Sequence, residues 1–192
     1  MPADKGIHAR EAITEAARRL FYQKGYGATS YADIAEVTGY GKGNIHYYFK
    51  SKNDILNAVT EARLADYRKM LAEWEQDCTT PLSCLQRFVD MFTSSAPELA
   101  LYGCPMGTIN SELGKESPEL QQDTRRMFDL FLQWLTRQFG RMMDMDRARE
   151  SAEQLMVMLQ GASLLAHAQR DSEVVSRQAQ VVLGWLSGVH NG

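Results

Sequence analysis

Apolar side chains recur along this chain at helical spacing, and no run alternates apolar and polar residues between turn pairs as a strand does. That regularity constrains the chain more than any other feature and points to an all-α fold. Proline is confined to positions 2, 81, 97, 105 and 118, and those after the first stand where periodic segments should break. No internal repeat and no low-complexity linker is present.

The first helix is expected from about Ala9 to Lys24, with Ile13, Ala17, Leu20 and Phe21 forming one apolar face. Gly25-Tyr26-Gly27 ends it, glycine supplying the left-handed cap. Thr29 and Ser30 offer N-caps to a short second helix, Tyr31 to Thr38, with Ile34, Ala35 and Val37 inward. Gly39-Tyr40-Gly41 is a tight turn into a third helix, Lys42 to Phe49, anchored by Ile45 and Phe49 at i, i+4. Ser51 caps a long fourth helix reaching about Glu75, with Asp54 in its first turn where the dipole favours it. Five more segments, near 82–95, 105–113, 118–142, 147–169 and 174–189, bring the expectation to about nine helices.

Charge is unevenly spread. Residues 1–56 hold 8 Lys and Arg against 6 Asp and Glu, a net of +2, and residues 57–192 hold 13 against 18, a net of −5. A mildly basic first third on an acidic body hints at an anionic partner for that third. No stretch approaches the 18 consecutive apolar residues of a membrane span, and no apolar run follows the charged start, so a cytoplasmic protein with no membrane association is expected. The three cysteines form no paired spacing, which argues against a disulfide framework.

The segment Thr29–Lys52, TSYADIAEVTGYGKGNIHYYFKSK, is the informative one. Two short helices joined by a glycine-containing turn make a helix-turn-helix. Ile45 and Phe49 anchor the second helix, while Lys42, Gly43, Asn44, His46, Tyr47 and Tyr48 occupy the rest of its surface. A DNA major groove admits one helix and presents donors and acceptors on base edges, for which Lys42 and Asn44 are suitable readers. Gly43 lets the backbone approach closely. Tyr47 and Tyr48 offer hydroxyls to phosphates and rings to sugars or thymine methyls. Lys50 and Lys52 follow, placed to neutralise phosphates. Tyr31 and Tyr40 serve equally well as packing residues.

With these residues the chain resembles the TetR family of transcriptional regulators. The matching positions are Gly25-Tyr26-Gly27, Ala28-Thr29-Ser30, Asp33-Ile34-Ala35, Gly39, and Gly41 through Lys52. The match covers about the first 60 residues. The family usually has tyrosine where this chain has His46, which leaves the histidine to donate to a phosphate or a base edge. The resemblance implies a homodimer with an N-terminal helix-turn-helix DNA-binding domain, here residues 1–52, and a C-terminal effector-binding and dimerisation domain, here 53–192. Carried over by position, Thr29, Ser30, Tyr47, Tyr48 and Lys52 look like phosphate contacts, and Lys42, Gly43 and Asn44 like base-edge contacts, with Tyr31 a further candidate. The partners implied are a palindromic double-stranded operator and a small-molecule effector. The last two helices would form an intermolecular four-helix bundle, and the final one has more large apolar residues than one face needs.

The C-terminal two-thirds carries no such signature. Phe88, Met91, Phe92, Met127, Phe131, Trp134, Met156 and Leu159 would furnish an apolar, adaptable cavity, most of them serving as core and a minority touching a ligand. Tyr102, Asn110, Glu112 and His167 are polar residues able to orient a ligand or serve structure alone. In Leu101–Gly107, Pro105 suits the first helical position, which would set Cys104 at a helix N-terminus where a thiolate is favoured. A Gly-Cys pair followed by Glu112 also resembles a subgroup of the family, some of whose members respond to electrophiles or oxidants. Cys104 is therefore read either as a sensing residue or as a small buried one.

An enzyme is the main competing class. The four histidines show no metal-ligand spacing, and there is no P-loop, GxGxxG or GxSxG, so no metal and no cofactor is expected. An unregulated helical binding domain is the third reading; it predicts weak sequence discrimination on DNA.

Overall fold

The computed structural model describes residues 2–190. Among the described residues it holds ten helices and no strand: α1 (Pro2–Lys24), α2 (Tyr31–Thr38), α3 (Lys42–Tyr48), α4 (Lys52–Asp77), α5 (Pro81–Ser94), α6 (Ala96–Tyr102), α7 (Gly107–Glu116), α8 (Pro118–Gly140), α9 (Met145–Gln169) and α10 (Glu173–His190). The helix beyond the expected nine is α6. Pro97 was expected only as a break, but it stands in the first turn of α6, where a missing N–H costs nothing.

The helices begin where short polar side chains satisfy their first N–H groups. Ser30 accepts from Asp33 N, and the Asp33 carboxylate accepts from Ser30 N, which closes a capping box at α2. Thr80 and Ser83 do the same for α5, with Pro81 in the first turn. Asp144 accepts from Asp146 N and Arg147 N at the start of α9.

The chain divides into two compact units. The first comprises residues 1–65 and 108–127, and the second 66–107 and 128–192. The first unit thus takes in more chain than residues 1–52: the opening of α4, nearly all of α7 and the first turns of α8 belong with α1–α3. Its buried residues include Ile13, Phe21, Ile34, Ile45, Phe49 and Val59. Of the residues expected inward on α2, only Ile34 is fully buried. Ala35 is half-buried and Val37 is 48 % exposed. A helix of eight residues packed on α1 and α3 buries a narrower face than its period allows.

The second unit is built on aromatic rings. Phe88 lies 5.4 Å from Phe131 and 6.3 Å from Trp134, centroid to centroid, and Trp74 stands edge-on to Trp134 at 5.9 Å. α9 and α10 pack on each other, and both pack on α5 and α6. Both expose apolar side chains: Val157 and Leu164 on α9 are 70 % and 71 % exposed, and Leu165 and, on α10, Val181 are exposed as well.

Candidate nucleic-acid interface

α2 and α3 are joined by Gly39-Tyr40-Gly41. Gly39 adopts φ +73° and donates its N–H to Ala35 O, a left-handed cap that a side chain would strain. The turn places Ile45 and Phe49 in the interior, where they pin α3. Lys42, Gly43, Asn44, His46 and Tyr47 all face solvent, and Tyr48 is half-buried. The division of labour expected of α3 is therefore present. Beyond its chain neighbours and the backbone of its own helix, no protein atom lies within 4 Å of where a Cβ on Gly43 would sit, so packing does not demand glycine there.

Cations close the other end of α3. Arg10 of α1 donates from Nη1 to Tyr48 O at 3.1 Å and lies 4.4 Å from the Phe49 ring centroid. The Lys50 ammonium folds back to donate to His46 O and Tyr47 O. Both charges meet the negative end of the α3 dipole and its unsatisfied carbonyls.

α2 is tied to its neighbours by polar bonds and one stack. Lys24 Nζ reaches Asp33 Oδ1 at 2.6 Å, and with the Ser30 hydroxyl and backbone N–H it holds the Asp33 carboxyl well below the usual carboxylate range. The Tyr31 ring stacks on His46 with centroids 4.2 Å apart and planes 19° from parallel. The Tyr31 hydroxyl is buried without a hydrogen-bond partner, and burial, then the charge of Asp54, pushes its pKa up.

Three of the residues expected to touch phosphates turn their donors to protein carbonyls instead: Lys50, on the end of α3, and Thr29 and Lys52. Thr29 is 1 % exposed and its hydroxyl donates to Gly25 O. The Lys52 ammonium donates to Tyr26 O, Gly27 O and Thr29 O, and lies 4.3 Å from the Tyr26 ring centroid. Thr29 and Lys52 hold the loop between α1 and α2, because its carbonyls lack helical partners and the nearest donors are these. Ser30 remains at the surface, with its hydroxyl engaged in the α2 cap.

Sequence reasoning missed the roles of Arg10 and Glu112. The Glu112 carboxylate accepts from Tyr26 N at 2.9 Å and Gly27 N at 2.6 Å. Partners 38 and 86 positions apart leave no trace in local periodicity.

The residues expected around an effector are divided. Phe88, Phe92, Phe131 and Trp134 come together as the aromatic core of the second unit, where Met156 and Leu159 are also buried. Trp134 Nε1 is buried there without a hydrogen-bond partner. Met127 and Asn110 belong to the first unit instead. The Asn110 side chain donates to Gln121 O and Thr124 Oγ1, and so braces α7 on α8. Cys104 does not stand at a helix N-terminus. α7 starts at Gly107, because Gly103, at φ +76°, closes α6 and Pro105-Met106 form a turn that buries Met106. Cys104 is buried ahead of that turn. Cys84 is likewise buried, and its thiol is pushed up to about 12 by that burial and by Cys78 beside it.

Comparisons with known proteins agree with this geometry. Residues 13–59 match the family model of bacterial regulatory proteins of the tetR family, and residues 81–181 match that of the transcriptional regulator LmrA/YxaF-like C-terminal domain. An HTH-type transcriptional regulator in the lacX 3′ region of Lactococcus lactis is 27 % identical over 88 % of this chain and 88 % of its own length. The HTH-type transcriptional regulator LmrA of Bacillus subtilis is 26 % identical over 85 % of this chain and 89 % of its own. A TetR family regulator from Agrobacterium tumefaciens superposes with a TM-score of 0.82 at 25 % identity, covering 93 % of this chain and 97 % of that one. These relatives are transcriptional regulators rather than enzymes. Built on an N-terminal helix-turn-helix and a helical C-terminal region, the chain belongs to the TetR family of DNA-binding transcriptional regulators.

Proposed function

We propose that the protein is a homodimeric repressor released from a palindromic operator by a small-molecule effector, acting in the cytoplasm. Residues 1–52 read DNA and residues 53–192 bind effector and dimerise. The observation that carries this reading is the outer surface of α3, where Lys42, Gly43, Asn44, His46 and Tyr47 are all exposed while Ile45 and Phe49 pin the helix. Lys42 and Asn44 read base edges, and Gly43 allows the backbone to approach them. Ser30, His46, Tyr47 and Tyr48 meet phosphates and sugars, while Tyr31, its hydroxyl buried, supports His46 from behind by stacking.

The exposed Val157, Leu164 and Leu165 of α9 and Val181 of α10 support a two-fold dimer formed by these helices. Such a dimer sets its two α3 helices in successive major grooves, about 34–36 Å apart. The aromatic cluster of Phe88, Phe92, Phe131 and Trp134 supports an apolar effector, and the unpartnered Trp134 N–H supports one that carries a hydrogen-bond acceptor. α4 contributes residues to both compact units and carries the effector's shift to the reading head. Effector and operator then oppose each other reciprocally, typically with about 1–3 kcal/mol of coupling.

The test is selection of bound sequences from a random duplex DNA library by the purified protein at a stated salt concentration. The expected result is an enriched palindrome with half-sites about one helical turn, or a small multiple of it, apart. A folded dimer that enriches no sequence, even after bound small molecules are extracted, overturns the proposal.

A further inference from the structure

The loop between α1 and α2 is held on both sides. Its carbonyls at Tyr26, Gly27 and Thr29 accept from the Lys52 ammonium. Its N–H groups at Tyr26 and Gly27 point the other way, into the two carboxylate oxygens of Glu112 on α7. Two successive backbone amides converging on one carboxylate are charge-assisted, paired bonds and fix orientation as well as distance. Gly25 makes the approach possible: its φ is +91°, and a Cβ there would lie 3.1 Å from Glu112 Oε2. Immediately beyond the loop come Ser30, which caps α2, and Tyr31, which stacks on His46 of the reading helix. A continuous line of bonded groups thus runs from α7 through the loop to α3. α7 is itself braced on α8 through Asn110, Gln121 and Thr124.

We propose that Glu112 is a positioning residue for DNA recognition: by gripping the Tyr26 and Gly27 amides it sets the α2–α3 pair from α7, so that any displacement of α7 is felt at the operator. The proposal rests on the DNA-binding reading above. Glu112 touches no DNA in this scheme. Its negative charge near a polyanion opposes binding, so electrostatics alone predicts that removing the charge tightens binding. The clamp predicts the reverse.

The test compares the intact wild-type protein with E112Q on the operator duplex selected by the wild type. Glutamine keeps the shape but turns an NH2 group toward one of the two amides. The expected result is faster hydrogen exchange at the Tyr26 and Gly27 amides and about tenfold weaker operator binding, at an unchanged salt slope. An affinity within about twofold of wild type, or tighter, overturns the proposal, as does unchanged exchange at both amides. If E112Q lowers Tm, E112D decides the matter. It keeps the charge but is a methylene too short to reach both amides, and an operator affinity equal to wild type overturns the clamp. A wild type that selects no sequence overturns the DNA-binding reading and this proposal with it. A wild type that binds while E112Q binds equally overturns this proposal alone.

Discussion

The α2–α3 pair and the aromatic core of the second unit are held by different physics. α2 and α3 total fifteen residues and bury Ile34 and Ile45 completely. What orients them is polar: the Ser30–Asp33 box, the Lys24–Asp33 pair, the cations on the α3 carbonyls and the left-handed cap at Gly39. The second unit is oriented by Trp74, Phe88, Phe131, Trp134 and Phe139, all buried. A short helix that leaves most of its surface to solvent has little apolar area left for attachment, so directional bonds replace burial. A unit that packs on itself needs no such economy, and non-directional burial suffices.

This contrast can be broken most forcefully at Phe131. Truncation by Phe131→Ala removes a fully buried ring in contact with Phe88 and Tyr67, and is expected to cost about 3–5 kcal/mol in urea unfolding. A cost below about 1 kcal/mol would show that the ring is not part of a packed core. Lys42→Ala tests the opposite case. On an exposed first turn it should leave stability within about 0.5 kcal/mol of wild type yet cost about 1–3 kcal/mol in operator binding, with relaxed specificity at one base pair. An equal loss on every sequence would make Lys42 a phosphate contact instead. The smallest effect sharpens the polar side of the comparison. Asp33 has a depressed pKa through Lys24 and Ser30, so its contribution is complete above the unfolded carboxylate value near 4 and is lost as pH falls toward the lower folded value. Asp33→Asn should therefore flatten the acid limb of the stability profile of the first unit, and an acid limb that keeps its wild-type slope would remove the pair from the account.

Much of the fold is legible along the chain, because helices declare themselves locally. Ile13, Ala17 and Phe21, the Ser30 cap, the Gly39 turn, and Ile45 with Phe49 are set by spacings of at most eight residues, and each occupies its expected place. The helix that escaped, α6, is short, and the proline in its first turn reads equally well as a break. The exposed polar surface of α3 was legible for the same reason: a seven-residue helix with Ile45 inward and a buried Phe49 closing its end has one outward side. The two residues that hold the α1–α2 loop were not. Thr29 and Lys52 lie in the right sequence context for phosphate contacts, but unpaired loop carbonyls draw their donors inward.

By itself, then, the sequence determined the all-α class, the helix-turn-helix and the polar surface of its second helix, all consequences of hydrophobic period and local capping. Tertiary structure alone decided which groups distant along the chain meet. It placed Arg10 on the end of α3, stacked Tyr31 on His46, turned Lys52 onto the loop and brought Glu112 to the Tyr26 and Gly27 amides across 86 and 85 positions. Hydrogen bonds and stacks select partners by distance and angle in space, and neither is encoded in a periodicity along the chain.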